Sequence, residues 1–141
     1  MGCPTSSRDT SMFARAVMSG GVITVQRGDY VFIVQSDDPQ CSRRAANAIS
    51  SSRQLGAFLA DVIGAQRRSI FSAQANLNAV IQSASRHFNI KRITAESENG
   101  AIHVCIETER GSVSVVLVGN TVNMEMRFDN CIVTAQGVRR R

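Results

Sequence analysis

The hydrophobic pattern of this chain changes period near Asn89, and few kinds of fold accommodate such a change. Through residues 42–88 apolar residues recur every three or four positions, the spacing of one helix face. From residue 90 onward apolar and polar residues alternate, the spacing of a strand with one buried face. A helical middle followed by an antiparallel meander predicts an α+β domain. With 141 residues the chain has the usual size of one domain, enough to bury a core.

The core must be aliphatic. Hydrophobic residues make up 43% of the chain but aromatic ones only 5%, with no Trp and one Tyr. No apolar run approaches the roughly 18 residues that a membrane-spanning helix requires. No secretory signal stands at the N-terminus, and the expected location is cytoplasmic. The four cysteines, Cys3, Cys41, Cys105 and Cys131, show no C-x-x-C spacing, and reduced thiols are expected.

Residues 1–10 are small and polar and predict a flexible N-terminal segment. Residues 11–136 form the single α+β domain, and residues 137–141 a basic C-terminal tail. Within the domain a short helix is expected over 11–18, closed by Gly20. A β-hairpin follows, with strands at 22–25 and 30–34 around Arg27-Gly28-Asp29. Asp38 or Ser42 then caps a helix with Pro39 in its first turn. One helical stripe runs through Ala45, Ala48, Ile49, Ser52, Leu55, Leu59 and Ile63, another through Ile70, Ala73, Leu77, Val80 or Ile81, and Ala84 to Phe88. The block reads as a helix pair dividing near Gly64, or as one long helix. After it come strands over 90–96, 102–107, 113–118 and 122–128, with Asn99-Gly100 a strong two-residue turn. Residues 131–135 read as an edge strand.

No residue pattern carries recognisable chemistry. His103 and Cys105 share one strand face, and with His87 and Cys131 they make an imaginable metal set. Their separations, however, give no reason for convergence, so neither metal nor cofactor is expected. No catalytic pair and no phosphate-binding loop is present, and the expectation is a protein without enzymatic activity. Met1-Gly2-Cys3-Pro4-Thr5-Ser6 fits the acylation pattern, with Gly2 and Cys3 as lipidation candidates. The chain is then a membrane partner only if acylated.

Fifteen of the sixteen basic residues are Arg, Lys91 being the exception, and the net charge is +5. Arg86, Lys91, Arg92, Arg139, Arg140 and Arg141 are the candidates for contacting nucleic-acid phosphates without sequence preference, as in a viral or phage protein. Stacking aromatics are scarce. Val122, Met124, Met126 and Phe128 alternate with polar residues on one strand and are the candidates for a protein interface.

The order helix, hairpin, helix, strands resembles in topology the roadblock-type dynein light chains and the longin or profilin group, residues 20–35 and 90–118 carrying the likeness. The chain departs from them by an added helix before Ile90 and a strand pair in place of the final helix. Secretion-chaperone folds use a comparable mixture but are typically acidic. The leading expectation is a scaffold or interaction module that binds itself, as a homodimer or larger, and another protein. The alternative is the Arg-dependent nucleic-acid binder.

Overall fold

The first described strand, β1 (Val22–Arg27), turns back at once through Gly28-Asp29 into β2 (Tyr30–Gln35). The computed structural model describes residues 20–139, with the side chains of all but 66–76. The helix expected over 11–18 lies outside the described residues. After β2, α1 (Pro39–Ser51) begins where Asp38 accepts a hydrogen bond from the Gln40 amide at 2.9 Å, with Pro39 in its first turn. Ser42 does not cap this helix. Buried within the first turn, it donates to the Gly21 carbonyl and ties α1 to the entry of β1.

A single residue, Ser52, separates α1 from α2 (Arg53–His87). Its amide closes α1 on the Ala48 carbonyl, and its hydroxyl accepts from the Leu55 amide at 3.1 Å to open α2. Arg27 reaches across from the hairpin and donates to the carbonyls of Ser50 (2.6 Å) and Ser52 (3.4 Å). A cation thus sits on the carbonyl end of α1, where the helix dipole favours it. Gly56 makes room for it, since a Cβ there would lie 1.8 Å from the Arg27 guanidinium.

The α2 element cannot be a straight rod. Its 35 residues would extend about 52 Å, and Asp61 and Ser83 would stand about 33 Å apart. Yet the Ser83 hydroxyl donates to the Asp61 carboxylate. Likewise the rings of Phe58 and Phe88 meet edge to face with centroids 5.6 Å apart. Both contacts pair residues whose midpoint lies at 72–73, so α2 doubles back between Ala65 and Leu77 into two antiparallel arms. Gly64, the expected dividing point, lies within the first arm. The two stripes read from the sequence are both helical, but the breaks fall at Ser52 and beyond Ala65.

Five strands follow: β3 (Ile90–Glu98), β4 (Ala101–Thr108), β5 (Gly111–Val118), β6 (Thr121–Phe128) and β7 (Cys131–Arg139). With β1 and β2 they form one antiparallel sheet of seven strands in the order β1-β2-β7-β6-β5-β4-β3. Here the chain departs from expectation. Residues 131–135 are not an edge strand, and Gly137, Val138 and Arg139 are not tail. They belong to β7, which lies between β2 and β6 and joins the hairpin to the meander. The edges are β1 and β3.

The described helices cover one face only, α1 over β1, β2 and β7, and α2 over β3, β4 and β5. The covered face carries Phe32, Val34, Val104, Ile106, Val115, Leu117, Val122, Met124, Val133 and Ala135, packed against Ile49, Phe58, Val62 and Val80 from the helices. Each of the larger side chains among them, removed from water, stabilises the fold by roughly 1.5–3 kcal/mol. The cysteines also correct the expectation of reduced thiols. Cys41 of α1 and Cys131 of β7 form a disulfide, Cα to Cα 5.6 Å, and Cys105 is disulfide-bonded as well. Spacing could not show this, because the pairing joins residues 90 apart in sequence.

Candidate interaction surface

Alternation along each strand sends half of the sheet's side chains to the face the described helices leave bare. The register makes its rows explicit. Val31 of β2 lies opposite Val138 of β7, Val138 opposite Thr121 of β6, and Thr121 opposite Val118 of β5. Ile33 lies two residues along from Val31, opposite Gln136, with Asn123 and Val116 next in its row. The large hydrophobic residues most open to solvent among the described residues are Ile33 (39%), Val118 (48%), Ile132 (41%) and Val138 (47%). All four are on this outer face. Three of them, with Val31 and Val116, make a patch near the β5–β6 turn. The residues standing between these aliphatics, Thr121, Asn123 and Gln136, are polar and uncharged.

The neighbouring row is polar and behaves differently. It runs Val22, Gln35, Thr134, Glu125, Ser114, Cys105, Thr94 from β1 to β3. Glu125 and Thr134 are only 7% and 5% exposed. The Glu125 Oε1 and Thr134 Oγ1 atoms have no hydrogen-bond partner among the described residues, while Glu125 Oε2 is 3.5 Å from the Arg127 guanidinium.

The anticipated interface residues have another place. Val122, Met124 and Met126 are buried on the covered face of β6, with Phe128 partly buried beside them. Their alternation is accounted for by the chain's own helices. The outer patch does leave a signal in the sequence. Val31 and Ile33 fall inside the uninterrupted apolar run Tyr30-Val31-Phe32-Ile33-Val34, and Val116 and Val118 inside Val115-Val116-Leu117-Val118. A strand apolar on both faces asks for a cover on both.

The basic residues are divided between two ends. Arg86, Lys91 and Arg92 stand at the end of α2 and the start of β3. They share that end of the sheet with Arg110 and Arg127, and with Glu107, Glu109 and Asp129. Arg92 faces Glu107 at 3.9 Å, and Arg44 of α1 pairs with Asp129 at 3.1 Å while lying 4.9 Å over the Phe128 ring. Arg44 and Arg110 border a cleft of about 290 Å³ floored by Ala45, Val113 and Met126. Arg139 stands at the opposite end, about 27 Å away along β7. Arg140, Arg141, Gly2 and Cys3 as a lipidation pair lie outside the described residues.

The imagined metal set is not brought together. His103 and Cys105 point outward, Cys131 points inward, and both cysteines are in disulfides and offer no thiolate. His87 lies at the far end of α2, against the turn carrying Glu109 and Arg110. Among the described residues no helix is long and apolar enough to cross a membrane. Comparison with family models, with curated proteins and with solved structures returns no match.

Proposed function

We propose that this chain is a non-enzymatic interaction module that associates with a second copy of itself through the outer face of its sheet. The supporting observation is the gathering of Ile33, Val118 and Val138, each well exposed, on the face that no described helix covers. Scattered exposed aliphatics need no explanation, whereas a contiguous patch marks a contact surface. A second copy suits it because the residues of the patch carry no charge. Two copies related by a two-fold axis would meet without like-charge repulsion, despite a net charge of +5 each. Sheets stacked face to face, about 10 Å apart, would bury the patch on both sides.

The nucleic-acid reading has less behind it. Its arginines fall at two ends of the sheet, and those at the β3 end are interleaved with carboxylates that pair with them. A backbone-binding surface needs one continuous basic face. The disulfides bear on location. Cystines persist in oxidising compartments and are rare where thiol reductants are abundant. We therefore infer that the chain works in an oxidising compartment rather than in the cytoplasm.

The test is sedimentation velocity over a concentration series, on the native chain and on the pair Ile33→Glu with Val138→Glu. The expected result is a concentration-dependent dimer in the native chain and a monomer in the variant, with the melting temperature kept within a few degrees because both sites are half in solvent. A native chain that stays monomeric throughout, or a variant that remains dimeric, overturns the reading.

A further inference from the structure

We propose that the cleft between α1 and the β4–β5 turn binds a small anionic amphiphile, a straight-chain carboxylate of about ten carbons. Its acyl chain lies on the apolar floor and its carboxylate between Arg44 and Arg110. The cleft is on the helix side of the sheet, away from Ile33, Val118 and Val138. The inference therefore does not depend on the proposed self-association.

The apolar part follows from residues too small to close the gap. Ala45 and Ala48, one turn apart on α1, line the cleft from above. Below them Val113 lies opposite Met126, and Gly111 lies opposite Phe128 with no side chain to meet the ring. Gly111 cannot be exchanged for a larger residue, because a Cβ there would lie 1.8 Å from the Arg127 carbonyl oxygen. A space of about 290 Å³ remains, at the small end of the range for ligand pockets. At roughly 30 Å³ for each group the size of a water molecule, it takes a chain of about nine or ten carbons.

The polar part stands at the mouth, where Arg44 comes from the helix and Arg110 from the turn. The turn is fixed by Thr108, whose hydroxyl accepts from the Arg110 amide at 3.3 Å and donates to the Gly111 carbonyl at 3.1 Å. Three ion pairs take up most of the charge at this end: Arg44 with Asp129, Arg92 with Glu107 and Arg127 with Glu125. The first is weak, since both side chains are more than half exposed. Arg110 and Lys91 form no ion pair among the described residues. Both line a polar hollow beside the cleft, in which Glu109 is the one carboxylate without an ion pair among the described residues. A single negative charge is what this end of the molecule lacks. A planar carboxylate suits a guanidinium, because it accepts two parallel N–H bonds from it.

Methyl NMR of the oxidised chain at fixed protein concentration, titrated with decanoate, tests the proposal. The methyls of Ala48, Val113 and Met126 should shift together and saturate below about 1 mM, while those of Ile33 and Val138 stay in place. Decanol should bind about tenfold more weakly, because it cannot pair with the guanidiniums. Arg110→Gln, a change at an exposed position, should weaken decanoate about tenfold and leave decanol unchanged. Ala48→Leu should weaken both by filling the cleft. Absence of saturable shifts overturns the proposal, as does decanol binding as tightly as decanoate, or native affinity in either variant. Shifts at Ile33, Val118 and Val138 in place of Val113 and Met126 would put the amphiphile on the outer face and end the cleft proposal. The self-association reading would still be decided by sedimentation alone.

Discussion

At Gly137 an absent side chain decides how the hairpin joins the rest of the sheet. Phe32, 1% exposed, projects from β2 onto the covered face directly opposite Gly137 of β7. A Cβ on Gly137 would lie 2.5 Å from its ring. The buried ring has little room to withdraw, and overpacking of this kind costs about 1–3 kcal/mol. Gly137→Ala should therefore lower the urea midpoint at unchanged slope, and pairing it with Phe32→Leu should restore part of the loss. A Gly137→Ala protein as stable as the native one would show that the ring does not fill that space. In the sequence, Gly137 followed by Val138 and three arginines has the composition of a tail. The reason it is strand lies in Phe32, more than a hundred residues away, which no local pattern reports.

At the scale of elements, helices and strands were legible where periodicity decides, and their ends were not. Asp38 before Pro39 and the Asn99-Gly100 turn, with Asn99 at φ 52° and Gly100 at φ 79°, act as their chemistry implies. The helix pair was legible as two stripes, but its dividing points were not. Ser52 ends one helix and starts the next through hydrogen bonds that any serine could make, and Gly64, the evident weak point, is simply accommodated within a helix. The reversal of α2 follows from the sheet, whose seven strands present about 29 Å of width, too little to support a 52 Å rod. Spin labels at the exposed positions Ala60 and Arg86 should accordingly lie within about 20 Å of one another, against about 39 Å along a straight helix. A distance near the larger value would contradict the doubled-back arrangement.

For the whole molecule, the Cys41–Cys131 disulfide clamps α1 onto β7, the strand that joins the hairpin to the meander. It closes a loop long enough that its loss should cost roughly 2–5 kcal/mol. Replacing both cysteines with alanine should shift the urea midpoint by a corresponding amount, and reduction of the native chain should shift it in the same direction. An unmoved midpoint in both experiments would exclude a clamp. The candidate site was less legible than the fold. The one-sided alternation of Val122, Met124 and Met126 on β6 is conspicuous in the sequence, yet these residues pack under the helices. The two-sided apolar runs that hold Val31, Ile33, Val116 and Val118 conceal their outer members among inner ones, and only the register separates them.

The proposed self-association uses the outer face of the sheet as its contact surface. Methyl NMR of the oxidised chain over a dilution series reports on that face residue by residue. Concentration-dependent shifts are expected for the methyls of Ile33, Val118 and Val138, with those of Ile49, Val62 and Val122 unmoved beneath the helices. Shifts confined to the helical side, or none across the series, would contradict it.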